Sequence, residues 1–113
     1  MGTREIVEQH LEALKAAELE AVLEHYAEDA VLITGGSVYR GHDGLEEVFR
    51  PALEAMFAPP GSSFTLDSLT VDGAHAMIMW RMSFPGGEVT FGTDTFVVRD
   101  GKIVFQTGAA QLA

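Results

Sequence analysis

The chain has 113 residues, enough to bury one hydrophobic core but not two, so we expect a single domain over residues 1–113. Seventeen acidic and seven basic side chains give a formal net charge of −10, which disfavours nucleic acid and anionic membranes as partners. The absence of cysteine excludes disulfides and thiolate nucleophiles, and no apolar run approaches the roughly 18 residues of a membrane span. We therefore expect a cytoplasmic protein.

The N-terminal region predicts two helices. Residues 3–28 contain neither Gly nor Pro and are rich in Ala, Leu and Glu, which is typical of helix. The apolar face around Leu11 is nevertheless rotated by roughly 110° from the face around Val22. We expect the two helices to meet at residues 16–18, with Tyr26 as a core residue on the second apolar face.

A strand and a third helix are expected next. Residues 30–34 predict a short buried strand that ends at the glycines 35–36. From residue 41 the apolar residues recur at helical spacing, and Asp43 is expected to cap the free amides at the start. Pro51 lies within this helix and is expected to kink or break it.

The C-terminal half predicts four strands joined by tight turns. These strands are expected at residues 64–71, 74–84, 88–99 and 102–110. Consecutive hairpins imply an antiparallel sheet. Helices followed by a meander of strands indicate the α+β class, because a parallel sheet would need the two to alternate.

The order of these elements resembles that of the nuclear-transport-factor-2-like (NTF2-like) superfamily, which includes ketosteroid isomerases and SnoaL-like polyketide cyclases. Three segments carry the resemblance: residues 23–32, residues 39–45 and residues 92–104. It implies a cone-shaped fold in which three N-terminal helices cover a curved antiparallel sheet and leave an apolar pocket between them. It does not imply one reaction, because the superfamily hosts isomerases, cyclases, hydrolases and noncatalytic binding modules.

The resemblance to ketosteroid isomerases also concerns single residues. In those enzymes an Asp moves a proton while a Tyr and a protonated Asp hold the oxyanion. Asp94 matches the protonated Asp, but His10 stands at the position of the oxyanion Tyr and Thr34 at that of the proton-moving Asp. Two of the three catalytic groups therefore differ, which argues against steroid isomerisation by that mechanism.

The pattern of the chain itself points to a His10–Asp94 pair. Asp94 shares a strand face with Phe96 and Val98, so burial should raise its pKa and leave it as a hydrogen-bonding acid or a tuned base. His10 lies on the apolar face of the first helix, next to Leu11, and histidine is the natural acid or base near pH 7. We hypothesise that the two meet at the pocket floor, where His10 moves the proton and Asp94 orients it or polarises a carbonyl. The alternatives are a solvent-exposed Asp94 and a structural core histidine.

The remaining candidate site residues would bind the ligand. Thr34 and Gln106 are placed to aim polar groups at it, although both could equally be cross-strand surface residues. An adaptable apolar wall for a small hydrophobic molecule is expected from five residues: Phe49, Met56, Trp80, Met82 and Phe84. The same five side chains could instead fill the cone completely.

No cofactor or metal is expected. His25, His42 and His75 lack metal-binding spacing, and no Gly-rich phosphate loop of the required spacing is present. Met77 and Met79 alternate with Ile78 and Trp80 along the strand predicted at residues 74–84, so this strand presents large apolar residues to both faces of the sheet. Because the helices can cover one face only, we expect a homodimer through the other.

Two functions of different class remain. The first is a cofactor-independent acid–base enzyme that isomerises, cyclises or eliminates an apolar carbonyl, enone or polyketide-like molecule. The second is a noncatalytic module for small-ligand binding or dimerisation. Asp94 opposite a buried His10 favours the enzyme, whereas Thr34 at the proton-moving position favours the binding module.

Overall fold

The computed structural model, which describes residues 1–113, contains three α-helices and one six-stranded sheet. The elements are α1 (Thr3–Lys15), α2 (Leu19–Glu24), β1 (Tyr26–Thr34), β2 (Ser37–Arg40), α3 (Gly41–Ala52), a π-helical turn (Leu53–Phe57), β3 (Ser63–Asp72), β4 (His75–Phe84), β5 (Gly87–Arg99) and β6 (Lys102–Leu112). The α+β class predicted from the sequence is confirmed, and the four C-terminal strands match the prediction to within two residues. None of the helices is both long and apolar enough to cross a membrane.

The sheet is mixed, and this differs from the expectation of a purely antiparallel one. Its strand order is β2-β1-β6-β5-β4-β3. All neighbours are antiparallel except β1 and β6, which run parallel. These two strands are separated in the chain by a helix and the whole meander, so no hairpin turn dictates their relative direction.

The predicted break between the first two helices is confirmed. Ala17 lies between them with φ of 56°, a left-handed conformation that cannot continue a helix. The second helix is shorter than predicted, because Tyr26 belongs to β1 and pairs with Ile103 of β6. Tyr26 is a core residue as expected, at 2% exposed, but it reaches the core from a strand.

The segment before α3 contains a strand that the sequence analysis missed. Gly35 and Gly36 have φ of 59° and 79°, and two consecutive positive values form the hairpin turn that suits antiparallel strands. This turn leads into β2, which pairs with the end of β1. The glycines therefore reverse the chain within the sheet, whereas the sequence predicts only that they end a strand.

The start and end of α3 also differ from the expectation. Arg40 is the N-cap residue and no side chain caps the helix, so the cap predicted at Asp43 is wrong. The helix passes through Pro51 and then widens, and the amide of Ala58 donates to the carbonyl of Leu53 at 2.8 Å. Because Pro51 has no amide hydrogen to donate, a local loss of α-helical pairing is expected near it.

The hydrophobic core lies between the helices and one face of the sheet, which we call the inner face. Helix α1 contributes Ile6, Val7 and Leu11, and the sheet contributes Ile78 and Phe96 among others. The opposite face of the sheet, which we call the outer face, has no helix over it. The packing of the helices therefore decides which side chains of the strands meet inside the molecule.

Leu45→Ala should destabilise the fold by about 2–5 kcal/mol, because Leu45 is fully buried in the core and the smaller side chain leaves a cavity. The matched control is Val38→Ala on β2, where the side chain is 52% exposed and the loss should stay below about 1 kcal/mol. Urea unfolding followed by circular dichroism measures both. Equal losses in the two variants would contradict this assignment of the core.

Candidate functional site

A cavity of about 270 Å³ lies between the inner face of the sheet and the helices. Sixteen residues line it, and twelve of them are hydrophobic. The four polar lining residues are His10, Thr34, Asp94 and Gln106. An apolar hollow with a few convergent polar groups is the usual form of a small-molecule site.

Asp94 is held by two hydrogen bonds from neighbouring strands. The indole Nε1 of Trp80 donates to Oδ1 at 2.8 Å, and Nε2 of Gln106 donates to Oδ2 at 2.8 Å. Burial raises the pKa of Asp94 to about 6, while these two hydrogen bonds oppose the rise because they stabilise the charged form. At neutral pH Asp94 is therefore a carboxylate that is more basic than an exposed aspartate.

Two glycines make room for this arrangement. Gly92 is the cross-strand partner of Trp80, and a Cβ on it would lie 2.2 Å from Cε2 of the indole. Gly108 is the cross-strand partner of Asp94, and a Cβ there would lie 2.7 Å from Oδ2. Both distances are too short for an ordinary contact, so a side chain at either position would displace the indole or the carboxylate from where it lies.

A chain of hydrogen bonds joins His10 to Asp94. The Tyr26 hydroxyl donates to Oε1 of Gln106 and lies 3.3 Å from Nε2 of His10. Since Gln106 must turn its amide nitrogen towards the carboxylate, its carbonyl oxygen faces Tyr26 and takes the hydroxyl proton. Nε2 of His10 is then the donor to Tyr26. Every donor in the chain consequently points towards Asp94.

The surroundings of His10 keep its imidazole neutral. The rings of Tyr26, Phe49 and Phe96 stand edge-on to it, with centroids 5.3, 5.8 and 5.6 Å away. Burial, and to a lesser extent the neighbouring His25, lower the pKa of His10 to about 3. The Nδ1 atom of His10 is buried without a hydrogen-bond partner. His10 is thus a neutral hydrogen-bond donor rather than a strong base.

The expected direct His10–Asp94 pair is therefore wrong. Both side chains line the same cavity, but Tyr26 and Gln106 occupy the positions between them. The hydrogen-bonding capacity of Asp94 that faces the protein is taken by Trp80 and Gln106. A tyrosine hydroxyl and an amide can each donate and accept a hydrogen bond. Tyr26 and Gln106 therefore connect Asp94 to His10 on α1 although the two side chains form no hydrogen bond with each other.

Five of the other predicted site residues also line the cavity. These are Thr34, Phe49, Met56, Trp80 and Gln106. Gln106 is 4% exposed, so the alternative of a surface residue does not apply to it. The Thr34 hydroxyl donates to the carbonyl of Gly108 at 2.9 Å, which leaves only its lone pairs to face a ligand.

Met82 and Phe84 do not line the cavity, contrary to the expectation. Met82 is buried at 3% exposed and pairs across the strands with Val89, whereas the Phe84 ring lies against the turn at Gly86 and Gly87. The pairing of β4 with β5 shifts by one residue between Trp80 and Met82. Met82 is therefore packed inside the protein but outside the cavity lining, which alternation along β4 alone does not predict.

No group of three or more His, Asp or Glu side chains comes together in a geometry that could hold a metal ion. Nε2 of His42 instead donates to the backbone carbonyl of Tyr26 at 3.0 Å. His25 lies beside His10, with ring centroids 6.2 Å apart. These histidines have structural neighbours, and Asp94 is the one carboxylate that lines the cavity.

The sequence model of the SnoaL-like domain matches residues 7–106 of the chain. The chain belongs to the SnoaL-like family. The resemblance to the NTF2-like superfamily found in the sequence is thereby confirmed. No curated protein sequence matches the chain.

Solved structures agree with this assignment. The SnoaL-like chain is 26% identical to an NTF2-like protein of unknown function from Mesorhizobium loti, with a TM-score of 0.79 over 96% of this chain and 90% of the other. It is 25% identical to a proposed polyketide cyclase from Sinorhizobium meliloti, with a TM-score of 0.76 over 93% and 94% of the two chains. A proposed ketosteroid isomerase from Kribbella flavida is 18% identical, with a TM-score of 0.81 over 98% of this chain and 78% of the other. That likeness shows the fold alone.

Tyr26 is the site residue whose role the sequence analysis missed. It was correctly predicted to be in the core, but its hydroxyl was given no partner. A buried tyrosine hydroxyl almost always needs one, and this requirement could have directed attention to Gln106. The glycines 92 and 108 are a second signal, because each faces a large polar or aromatic group across the strands of this SnoaL-like sheet.

Asp94→Asn should gain stability relative to the wild type as the pH rises from 4 to 6. The folded state raises the pKa of Asp94 from 3.8 to about 6, so the stability that its protonated form contributes is present below pH 4 and is lost as the pH rises through 6. At about 1.4 kcal/mol per pH unit, the loss amounts to at most about 3 kcal/mol. Asparagine escapes this loss because it carries no charge.

Urea unfolding of wild type and Asp94→Asn at several pH values measures this effect. The difference in the free energy of unfolding should grow between pH 4 and pH 6 and level off above pH 7. Asp72→Asn, at an exposed position, is the matched control and should show no such dependence. A difference between wild type and Asp94→Asn that does not change with pH would contradict the assigned cost of the buried charge.

Proposed function

We propose that this SnoaL-like chain is a cofactor-independent enzyme of the isomerase, cyclase or lyase type that moves a proton in a small, largely apolar carbonyl compound. Asp94 is the base in this proposal. The observation that carries it is the position of Asp94, a partly buried carboxylate at the wall of an apolar cavity with its pKa raised to about 6. A general base is most effective when its pKa lies near the working pH.

The role of His10 changes from the one hypothesised from the sequence. With a pKa of about 3, its imidazole is a weak base and gives no advantage in removing a proton from carbon. Its contribution in the proposal is to donate to Tyr26, which in turn fixes the carbonyl of Gln106. His10, Tyr26 and Gln106 are thus positioning residues that hold the carboxylate and its donors in one orientation.

The proposed step starts from a carbonyl compound with an acidic C–H bond next to the carbonyl carbon. Asp94 takes this proton, and the electron pair of the C–H bond moves into the carbonyl group to give an enolate. In an isomerisation, Asp94 returns the proton to a different carbon, so no atom is gained or lost. The second amide hydrogen of Gln106 is the one side-chain donor of the cavity wall without a partner and would stabilise the enolate oxygen.

The comparisons support this reaction class without naming the substrate. The protein from Sinorhizobium meliloti is described as a proposed polyketide cyclase, and cyclisation of such a compound also begins with removal of a proton next to a carbonyl. The cavity of about 270 Å³ suits a small molecule rather than a polymer. We therefore propose a small carbonyl compound as the substrate.

Two probe reactions test the proposal. Cyclohex-3-enone isomerises to the conjugated cyclohex-2-enone, and 5-nitrobenzisoxazole opens when a base removes its single acidic proton; absorbance follows both. Asp94→Asn should lower kcat/KM by about 10²–10⁴-fold, the usual contribution of a general base. In the wild type kcat/KM should rise with pH through about 6 and then become constant, because only the carboxylate form reacts.

The control for these assays is Asp72→Asn, which removes the same charge from an exposed position and should leave both rates unchanged. Binding of the probes with no acceleration of either reaction by the wild type would support the alternative, a noncatalytic ligand-binding module. Equal rates in wild type and Asp94→Asn would remove Asp94 from the mechanism.

We further propose that the protein forms a homodimer through the outer face of the sheet. Two rows of residues cross this face in register, one formed by Met77, Thr95, Thr107 and Ile33 and the other by His75, Val97, Phe105 and Val31. Met77, Met79 and Ile33 are 37%, 37% and 39% exposed. Apolar side chains grouped on an uncovered sheet face are typical of an interface. In a homodimer the outer face of each copy would cover the outer face of the other.

Met79→Glu should weaken the dimer by about tenfold or more, because association would bury an unpaired charge. Sedimentation velocity at micromolar concentration measures the effect as a shift from dimer to monomer. Ala55→Glu adds the same charge to an exposed position on the helical side and should leave the dimer intact. A monomeric wild type at these concentrations would contradict the proposed interface.

A further inference from the structure

Asp94 is a partly buried carboxylate that has no cationic partner among the ion pairs of the protein. The three ion pairs of the chain join Lys15 to Glu12, Arg50 to Glu46 and Arg81 to Asp67, and all of them are on the surface. A charge in an apolar interior is normally paired, because hydrogen bonds from neutral groups replace only part of the lost hydration. The wall of the cavity therefore carries a negative charge that a ligand can neutralise.

The polar groups of the cavity wall are mainly acceptors of hydrogen bonds. The Thr34 hydroxyl already donates its hydrogen to the carbonyl of Gly108, and the Trp80 indole already donates its hydrogen to Asp94. Gln106 keeps one free amide hydrogen after its bond to Asp94. A ligand that brings several donors would satisfy this wall better than one that brings only acceptors.

The apolar part of the wall also favours a positive charge. Five of its residues are aromatic: Phe49, Phe57, Phe64, Trp80 and Phe96. Phe64 and Trp80 are stacked with ring centroids 5.5 Å apart, so they form a continuous aromatic surface beside Asp94. The faces of aromatic rings attract cations, and the formal net charge of −10 raises the concentration of cations near the protein.

We propose that this cavity binds a hydrophobic organic ammonium ion, with its nitrogen donating to the Asp94 carboxylate and its hydrocarbon part against the aromatic wall. A bare metal cation does not fit, because hard cations need about six oxygen ligands and Asp94 is the one carboxylate of the wall. The inference does not depend on the proposed enzyme activity. It concerns which ligands occupy the cavity, whether or not turnover takes place there.

Three compounds of nearly equal size and shape test the proposal: cyclohexylmethylamine, cyclohexylmethanol and cyclohexanecarboxylate. Trp80 is the single tryptophan of the chain and contacts Asp94, so its fluorescence reports binding in the cavity directly. At pH 7.5 the amine should bind about tenfold to a hundredfold more tightly than the alcohol, and the carboxylate should bind most weakly. This preference should disappear at pH 5, where Asp94 is largely protonated.

Asp94→Asn should bind the amine and the alcohol with equal affinity, whereas the exposed control Asp72→Asn should keep the wild-type preference. The wild-type preference should also persist in 0.5 M NaCl, because salt screens attraction to the surface charge much more than a buried pair. Equal binding of amine and alcohol by the wild type, or a preference that Asp94→Asn retains, would overturn the proposal. Failure of all three compounds to bind would overturn it as well. Since no step of this test measures turnover, its result is separate from that of the enone assay.

Discussion

The burial of one carboxylate, that of Asp94, is the constraint on which the rest of this site depends. Its charge is unfavourable in an apolar cavity, and the protein offsets part of the cost with donors from Trp80 and Gln106. Gly92 leaves room for the Trp80 indole, and Gly108 leaves room for the carboxylate of Asp94. Trp80, Gln106, Gly92 and Gly108 therefore form one arrangement around Asp94, and it is built from β4, β5 and β6.

The hydrogen-bond chain connects this arrangement to the helices. Gln106 is its central member, since its amide group donates to Asp94 on one side and accepts from Tyr26 on the other. His10 closes the chain from α1, so the packing of that helix on the sheet also fixes the direction in which the hydrogen bonds run. The orientation of the carboxylate thus follows from the packing of the whole inner layer, and no loop takes part in it.

Much of this could be predicted from the sequence, and the four polar residues of the cavity wall, His10, Thr34, Asp94 and Gln106, were all named from it. Periodicity is enough for that purpose, because it tells which side chains face inward. It does not tell which of them touch. Contacts depend on the register of the strands, and this register shifts by one residue between Trp80 and Met82 of β4 and at two places in the pairing of β5 with β6. Such bulges depend on the packing of the completed sheet and leave little trace in the local sequence.

The resemblance to ketosteroid isomerases aligns Asp94 with an aspartate whose protonation state differs from the one described here. In those enzymes the corresponding Asp is protonated and donates a hydrogen bond to the substrate. Here two donors already point at the carboxylate, and each of them stabilises the charged form. With donors on both oxygens, Asp94 is an acceptor, and an acceptor can remove a proton or pair with a cation but cannot polarise a carbonyl. The chemistry available at this position is therefore set by Trp80 and Gln106, two residues on adjacent strands, more than by the aspartate itself.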